Sequence, residues 1–226
     1  MSEAGKRLFF GIRVSVQTAN ALAGAAETLA RRGKDAGLDI RWVPPINYHL
    51  TLKYLGWTRH ETVEALRDVV AEAIAGMPRL TFRTARIDAF PGLDKGSIIW
   101  AGVESPAVVE LHERIERATV AFGYPAEPRP FRPHITLARL RETRPLKEVV
   151  LPLSEQMFSD TRADAVTLFE SQAKSSGSVY VEVAKIPFKT VQIPSIPGSE
   201  RQTGAVSLGA LADEPDTDDG WPRSGQ

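Results

Sequence analysis

Four histidines occur in the 226-residue chain, and two of them sit in almost the same frame. Residues 48–54 read YHLTLKY and residues 133–139 read PHITLAR. Each contains His, an aliphatic residue, Thr and Leu in that order, and the copies lie 85 residues apart. On a β-strand, successive side chains point to opposite faces. Alternation therefore groups His49, Thr51 and Lys53 on one face and Leu50, Leu52 and Tyr54 on the other. In the second copy it groups His134, Thr136 and Ala138 against Ile135 and Leu137. Each strand has an aliphatic side to bury and a polar side whose base and hydroxyl would be costly to bury unpaired. A groove is the economical place for the polar sides.

Two such strands facing each other bring two imidazoles and two hydroxyls around one point. Imidazole titrates near neutral pH, so one ring can act as a base while the other holds a proton. Threonine can donate to a non-bridging oxygen. This set suits in-line displacement at phosphorus, with neither a metal nor a protein nucleophile. A single His-x-Thr carries little information; the repeat carries the signal. His60 and His112 lack the frame and read as surface residues near helix starts. Two histidines without a third ligand or a nearby carboxylate do not make a usual zinc site.

The elements that must hold these strands follow from periodicity. Residues 7–14 read as a strand and 17–32 as a helix with Leu22, Ala25, Ala26 and Leu29 on one stripe. A Pro-Pro break then leads into a strand ending at Gly56. Thr58 and Glu61 match a capping box before a helix carrying Val63, Leu66, Val70 and Ala73. Residues 79–90 and 97–103 read as strands around PGLDKG. Ser105 and Pro106 fit the start of a helix carrying Val108, Leu111, Ile115, Ala118 and Phe122. The second motif strand enters through prolines, and 162–170 and 178–188 read as the last two strands. Each motif strand follows a helix, which suggests a weak internal duplication with a groove between two lobes. Helices mixed with hairpins favour α+β over a doubly wound parallel sheet.

The bulk properties set the limits. The length suits one large domain or two small lobes. The chain has no cysteine, which excludes disulfides, cysteine–zinc sites and a thiol nucleophile. No signal peptide and no membrane span are legible, and a cytoplasmic location is expected. The formal net charge is zero. It divides into −4 over residues 191–226 and +4 over residues 1–190. The acidic segment is rich in Pro, Gly, Ser and Asp and reads as a disordered tail behind a domain spanning 1–190.

HLTLKYLG together with RPHITLARL resembles the two-histidine (2H) phosphoesterase superfamily. Within it, the chain resembles the RNA 2′,3′-cyclic phosphodiesterases, also called 2′-5′ RNA ligases. RLFFGI, RWV (41–43), PGLDKGSIIWAGV (91–103) and LFESQAKSSGSVYVEV (168–183) add to the likeness, which spans about residues 6–188. The resemblance implies a bilobal α+β fold: two pseudo-symmetric lobes, antiparallel sheets lining a central cleft, helices outside. It implies opening of an RNA 2′,3′-cyclic phosphate end to a 2′-phosphate, with weak 2′-5′ ligation as a side activity. His49 then matches the proton donor and His134 the proton acceptor; the near-symmetric chemistry of the two copies does not itself assign these roles. Thr51, Thr136 and Arg139 match phosphate-binding positions, with Arg132 a second cation candidate. Simple alternation puts Arg139 on the wrong face, so a bulge, a strand end or the length of its own side chain would have to bring it back. Phe10 and Tyr180 are candidates for base stacking. No cofactor and no metal are implied. The expected partner is RNA with a 2′,3′-cyclic phosphate end, tRNA fragments among them, and the protein is expected to be a monomer. The alternatives are a phosphodiesterase for another small cyclic nucleotide and a non-catalytic nucleotide-binding module.

Overall fold

A computed structural model describes residues 5–174 and 177–188 of the chain. The expected acidic tail, 191–226, lies outside the described residues. The elements are β1 (Gly5–Arg13), α1 (Val16–Asp35), β2 (Arg41–Trp42), β3 (His49–Arg59), α2 (Val63–Ala73), β4 (Leu80–Phe90), β5 (Gly96–Glu104), α3 (Pro106–Ala121), β6 (His134–Arg144), α4 (Lys147–Val150), β7 (Met157–Ala163), β8 (Ala165–Lys174) and β9 (Gly177–Pro187). The fold is α+β, built on antiparallel pairing.

The strands run β7-β4-β5-β6-β3-β1-β8-β9, with β2 added against β6. The motif strands β3 and β6 are central neighbours, joined only at Leu50 and Ile135. Both side chains are fully buried. Their numbers differ by the same 85 residues as the motifs. A pseudo-twofold axis therefore passes between them and relates β3-β1-β8-β9 to β6-β5-β4-β7. Each group of four buries one face and leaves the His–Thr face free.

Two of the helices, α1 and α3, are exchanged across this axis. The chain leaves β1 in one group and forms α1, which packs on β7 of the other group. Ser15 caps α1 by accepting from the Thr18 amide. The Thr18 and Thr161 hydroxyls, 2.9 Å apart, fix that end to β7. In return, the chain leaves β5 and forms α3, which packs on β3 and α2. Leu111 and Ile115 of α3 are fully buried.

Three local expectations fail for identifiable reasons. Thr58 does not cap a helix: it lies inside β3, buried, and accepts from the Tyr124 hydroxyl at 3.1 Å. Gly56 does not end that strand but carries it through a kink at φ +74°. His112 is not a free surface residue. Its Nδ1 pairs with the Leu52 carbonyl at 2.8 Å, and its ring stacks on Phe131 at 3.8 Å. A further strand, β7, precedes the two read at the C-terminal end.

Candidate active site

The two motifs fold alike down to their irregularities. In β3, Gly11 pairs with Thr51 and Phe10 with Lys53, which leaves Leu52 as an extra residue. In β6, Trp100 pairs with Thr136 and Ile99 with Ala138, which leaves Leu137 extra. Each motif therefore carries a β-bulge at the same place, and a bulge shifts the alternation of faces by one. Strict alternation put Lys53 and Ala138 with the histidines; the bulges turn both into the core. Lys53 is only 4% exposed. Its ammonium donates to the Pro125 carbonyl at 2.7 Å and lies 2.8 Å from a Glu116 carboxylate oxygen on α3. The same shift returns Arg139 to the face of His134 and Thr136, paired with Ile98 and with Arg41 of β2. Tyr54 takes the corresponding place in the first copy, paired with Phe9.

Each imidazole is held in the same way. His49 Nδ1 lies 2.7 Å from the Asn47 carbonyl, and His134 Nδ1 lies 2.7 Å from the Arg132 carbonyl. A carbonyl can only accept, so Nδ1 carries the proton in both neutral rings and Nε2 is the free base. His49 Nε2 is 3.1 Å from the Thr51 hydroxyl.

Aromatic walls surround the rings. Phe9 and Tyr180 each lie 4.8 Å from His49 between ring centroids, and Phe169 lies at 6.0 Å. Phe90 and Trp100 lie 5.0 and 5.9 Å from His134. Burial among these rings, followed by the charges of Arg13, His134 and Arg139, pushes the His49 pKa down to about 4 against the pull of the Asn47 carbonyl. Burial and then Arg139 lower His134 too, against the Arg132 carbonyl. The charge of Arg139 thus acts on both histidines. Arg13, the cross-strand neighbour of His49, lies 5.2 Å above the Phe169 ring and 3.2 Å from a Glu182 carboxylate oxygen.

The structure brings together His49, Thr51, Tyr180 and, through the second copy, His134, Thr136 and Arg139. Arg132 contributes its carbonyl to His134, while its side chain is exposed. Phe10 is not available for stacking: it is fully buried in the core. Its neighbour Phe9 faces His49 instead. Phe9, Phe90, Trp100, Phe169 and Arg13 were missed in the sequence. The alternation Phe9–Gly11–Arg13 in β1 was the available signal, since these three share the face of the paired motif residues. Among the described residues no three His, Asp or Glu side chains cluster as a metal-ligand set.

Comparisons with known proteins bear on the family and the fold. An RNA 2′,3′-cyclic phosphodiesterase of Aeropyrum pernix is 28% identical over 144 residues, covering 62% of this chain and 78% of the relative. One from Thermotoga maritima is 23% identical and covers 81% of this chain and 96% of the relative. Among solved structures, TT0787 of Thermus thermophilus matches with a TM-score of 0.70 at 23% identity, over 82% of this chain and 99% of that one. LigT of E. coli complexed with 3′-AMP matches with a TM-score of 0.62 at 21% identity, over 83% and 100%. The family model of the 2′-5′ RNA ligase superfamily matches residues 18–175, which contain both His–Thr strands, and the chain belongs to that superfamily.

Proposed function

We propose that the protein hydrolyses the 2′,3′-cyclic phosphate at the end of an RNA to a 2′-phosphate, by acid–base catalysis between His49 and His134 without a metal. The observation that carries this reading is the matched pair of imidazoles. Each is fixed through Nδ1 to the carbonyl two residues earlier, on strands related by one pseudo-twofold axis. Relatives named RNA 2′,3′-cyclic phosphodiesterase support the substrate class.

In the proposed step, His134 Nε2 takes a proton from water as its oxygen bonds to phosphorus. The bond from phosphorus to the 3′ oxygen breaks, and His49 Nε2–H protonates that oxygen. Thr51, Thr136 and Arg139 hold the non-bridging oxygens, where charge is stabilised best by donors already in place. The donor role requires His49 to carry a proton, although its pKa in the protein alone is about 4. An anionic phosphodiester beside the ring offsets the Arg13, His134 and Arg139 charges, so substrate binding and proton uptake go together. RNA fragments with cyclic ends, pieces of tRNA among them, are the proposed substrates of a monomeric enzyme. 2′-5′ ligation is a slow companion reaction.

The test is incubation of the protein, in excess EDTA, with a short RNA ending in a 2′,3′-cyclic phosphate, followed by identification of the product isomer. A 2′-phosphate is expected. A 3′-phosphate, or loss of activity on chelation, would refute the proposed chemistry.

A further inference from the structure

The face of β3 that carries His49 and Thr51 continues outward. Beyond the motif the register pairs Tyr54 with Phe9 and Trp57 with Arg7, with Leu55 as the extra residue of a second irregularity. Cross-strand partners share a face, and Phe9 faces His49 at 4.8 Å. Tyr54 and Trp57 therefore extend the row that begins His49, Thr51. Each row is two residues further along β1, a step of about 7 Å. Both rings are exposed, Tyr54 at 53% and Trp57 at 69%.

Trp57 is exposed yet held. A Cβ on Gly5 would lie 2.7 Å from Trp57 Cε2, so the indole lies against the bare backbone of Gly5 and shows its other face outward. The Tyr54 ring edge lies 3.7 Å from where a Cβ on Gly56 would stand. Arg7, beside Trp57, is exposed and makes no ion pair among the described residues. Two presented aromatic faces with a free cation beside them, in line with a site that takes a phosphate, match the chemistry that binds single-stranded nucleic acid.

We propose that Tyr54 and Trp57 form a stacking track for the bases that precede the cyclic end of an RNA, with Arg7 meeting a backbone phosphate. This inference rests on the phosphodiesterase reading and makes the preferred substrate an oligoribonucleotide rather than a cyclic mononucleotide. A cyclic phosphate ends the strand, so the rest of the RNA leaves the site in one direction, and the track gives that direction along β3.

The experiment compares kcat/KM for adenosine 2′,3′-cyclic phosphate with that for a three-nucleotide RNA ending in the same group. It uses the full chain and its Trp57→Ala and Trp57→Phe variants. Loss of one stacked base is expected to lower the preference for the trinucleotide by roughly 5- to 150-fold in Trp57→Ala, with most of it retained in Trp57→Phe. In parallel, fluorescence anisotropy with a labelled six-nucleotide RNA ending in a 3′-phosphate should show a weaker Kd for Trp57→Ala. An unchanged preference and an unchanged Kd would overturn the track, as would an equal loss on both substrates, which marks a structural role. If the wild type cleaves neither substrate but its RNA binding still depends on Trp57, the phosphodiesterase reading fails while the track stands.

Discussion

Replacing His49 by Gln should change how stability depends on pH. In the unfolded chain an imidazole titrates near 6.5, whereas the fold holds His49 at about 4. Between these values the unfolded chain binds a proton that the folded protein refuses. Unfolding is then favoured by acid, and stability falls as pH falls through this window, levelling off below about 4. At about 1.4 kcal/mol per unit, the whole penalty is about 3 kcal/mol, of which about 2 kcal/mol accrues between pH 7 and pH 5. Urea unfolding, followed by tryptophan fluorescence at both pH values, measures it. The wild type should lose about 2 kcal/mol more than His49→Gln on going from pH 7 to pH 5, because the other titrating groups are common to both proteins and cancel. Equal losses in the two proteins would show that the aromatic wall and the neighbouring cations do not hold the ring neutral, and the electrostatic account of the site would fall with it.

Four other outcomes follow from the site. His49→Ala and His134→Ala should each lower turnover by about 10²- to 10⁴-fold, and the double variant by less than the product of the two. A phosphodiester with a p-nitrophenyl leaving group should restore much of the loss in the variant that lacks the proton donor, expected to be His49→Ala. Full rescue of His134→Ala instead would reverse the two roles. Arg139→Met removes a charge that lowers both histidines, so the bell-shaped profile of kcat/KM against pH should move to higher pH while its height falls. A profile that keeps its position would place Arg139 outside electrostatic reach of the pair. Gly11→Ala would set a methyl 2.7 Å from the Leu50 carbonyl and 3.6 Å from His49 Cδ2. It should destabilise by about 1–3 kcal/mol and lower kcat, read by thermal unfolding and steady-state kinetics.

The paired frame was legible in the sequence because it depends on residue types at a repeated spacing, and β3 and β6 carry His49 and Thr51, His134 and Thr136 at matching places. What parity governs was not legible. A strand pattern assigns faces only while pairing stays regular, and the extra residues Leu52 and Leu137 sit inside the motifs themselves. They send Lys53 and Ala138 inward and bring Arg139 back, which a single strand read alone cannot reveal. The choice between Phe9 and Phe10 was also one of parity, fixed only by the partner strand. Thr58 matched a capping box because the four-residue pattern is local, while its burial beneath Tyr124 is a long-range fact. His112 lacked the motif, but its position on the inner side of α3 follows only from the packing of α3 on β3.

The exchange of α1 and α3 across the pseudo-twofold axis bears on how the chain acquires its shape. Each four-stranded group is covered in part by a helix that the chain enters from the other group, α1 on β7 and α3 on β3, beside α4 on β4 and α2 on β9. A fragment holding one group would expose Leu50 or Ile135 and the apolar residues around it. The exchanged helices couple the two groups, so unfolding is expected to be a single cooperative transition, read by coincident fluorescence and circular-dichroism transitions in urea. In this respect the chain has the form of a helix-swapped dimer whose two subunits have been joined into one polypeptide.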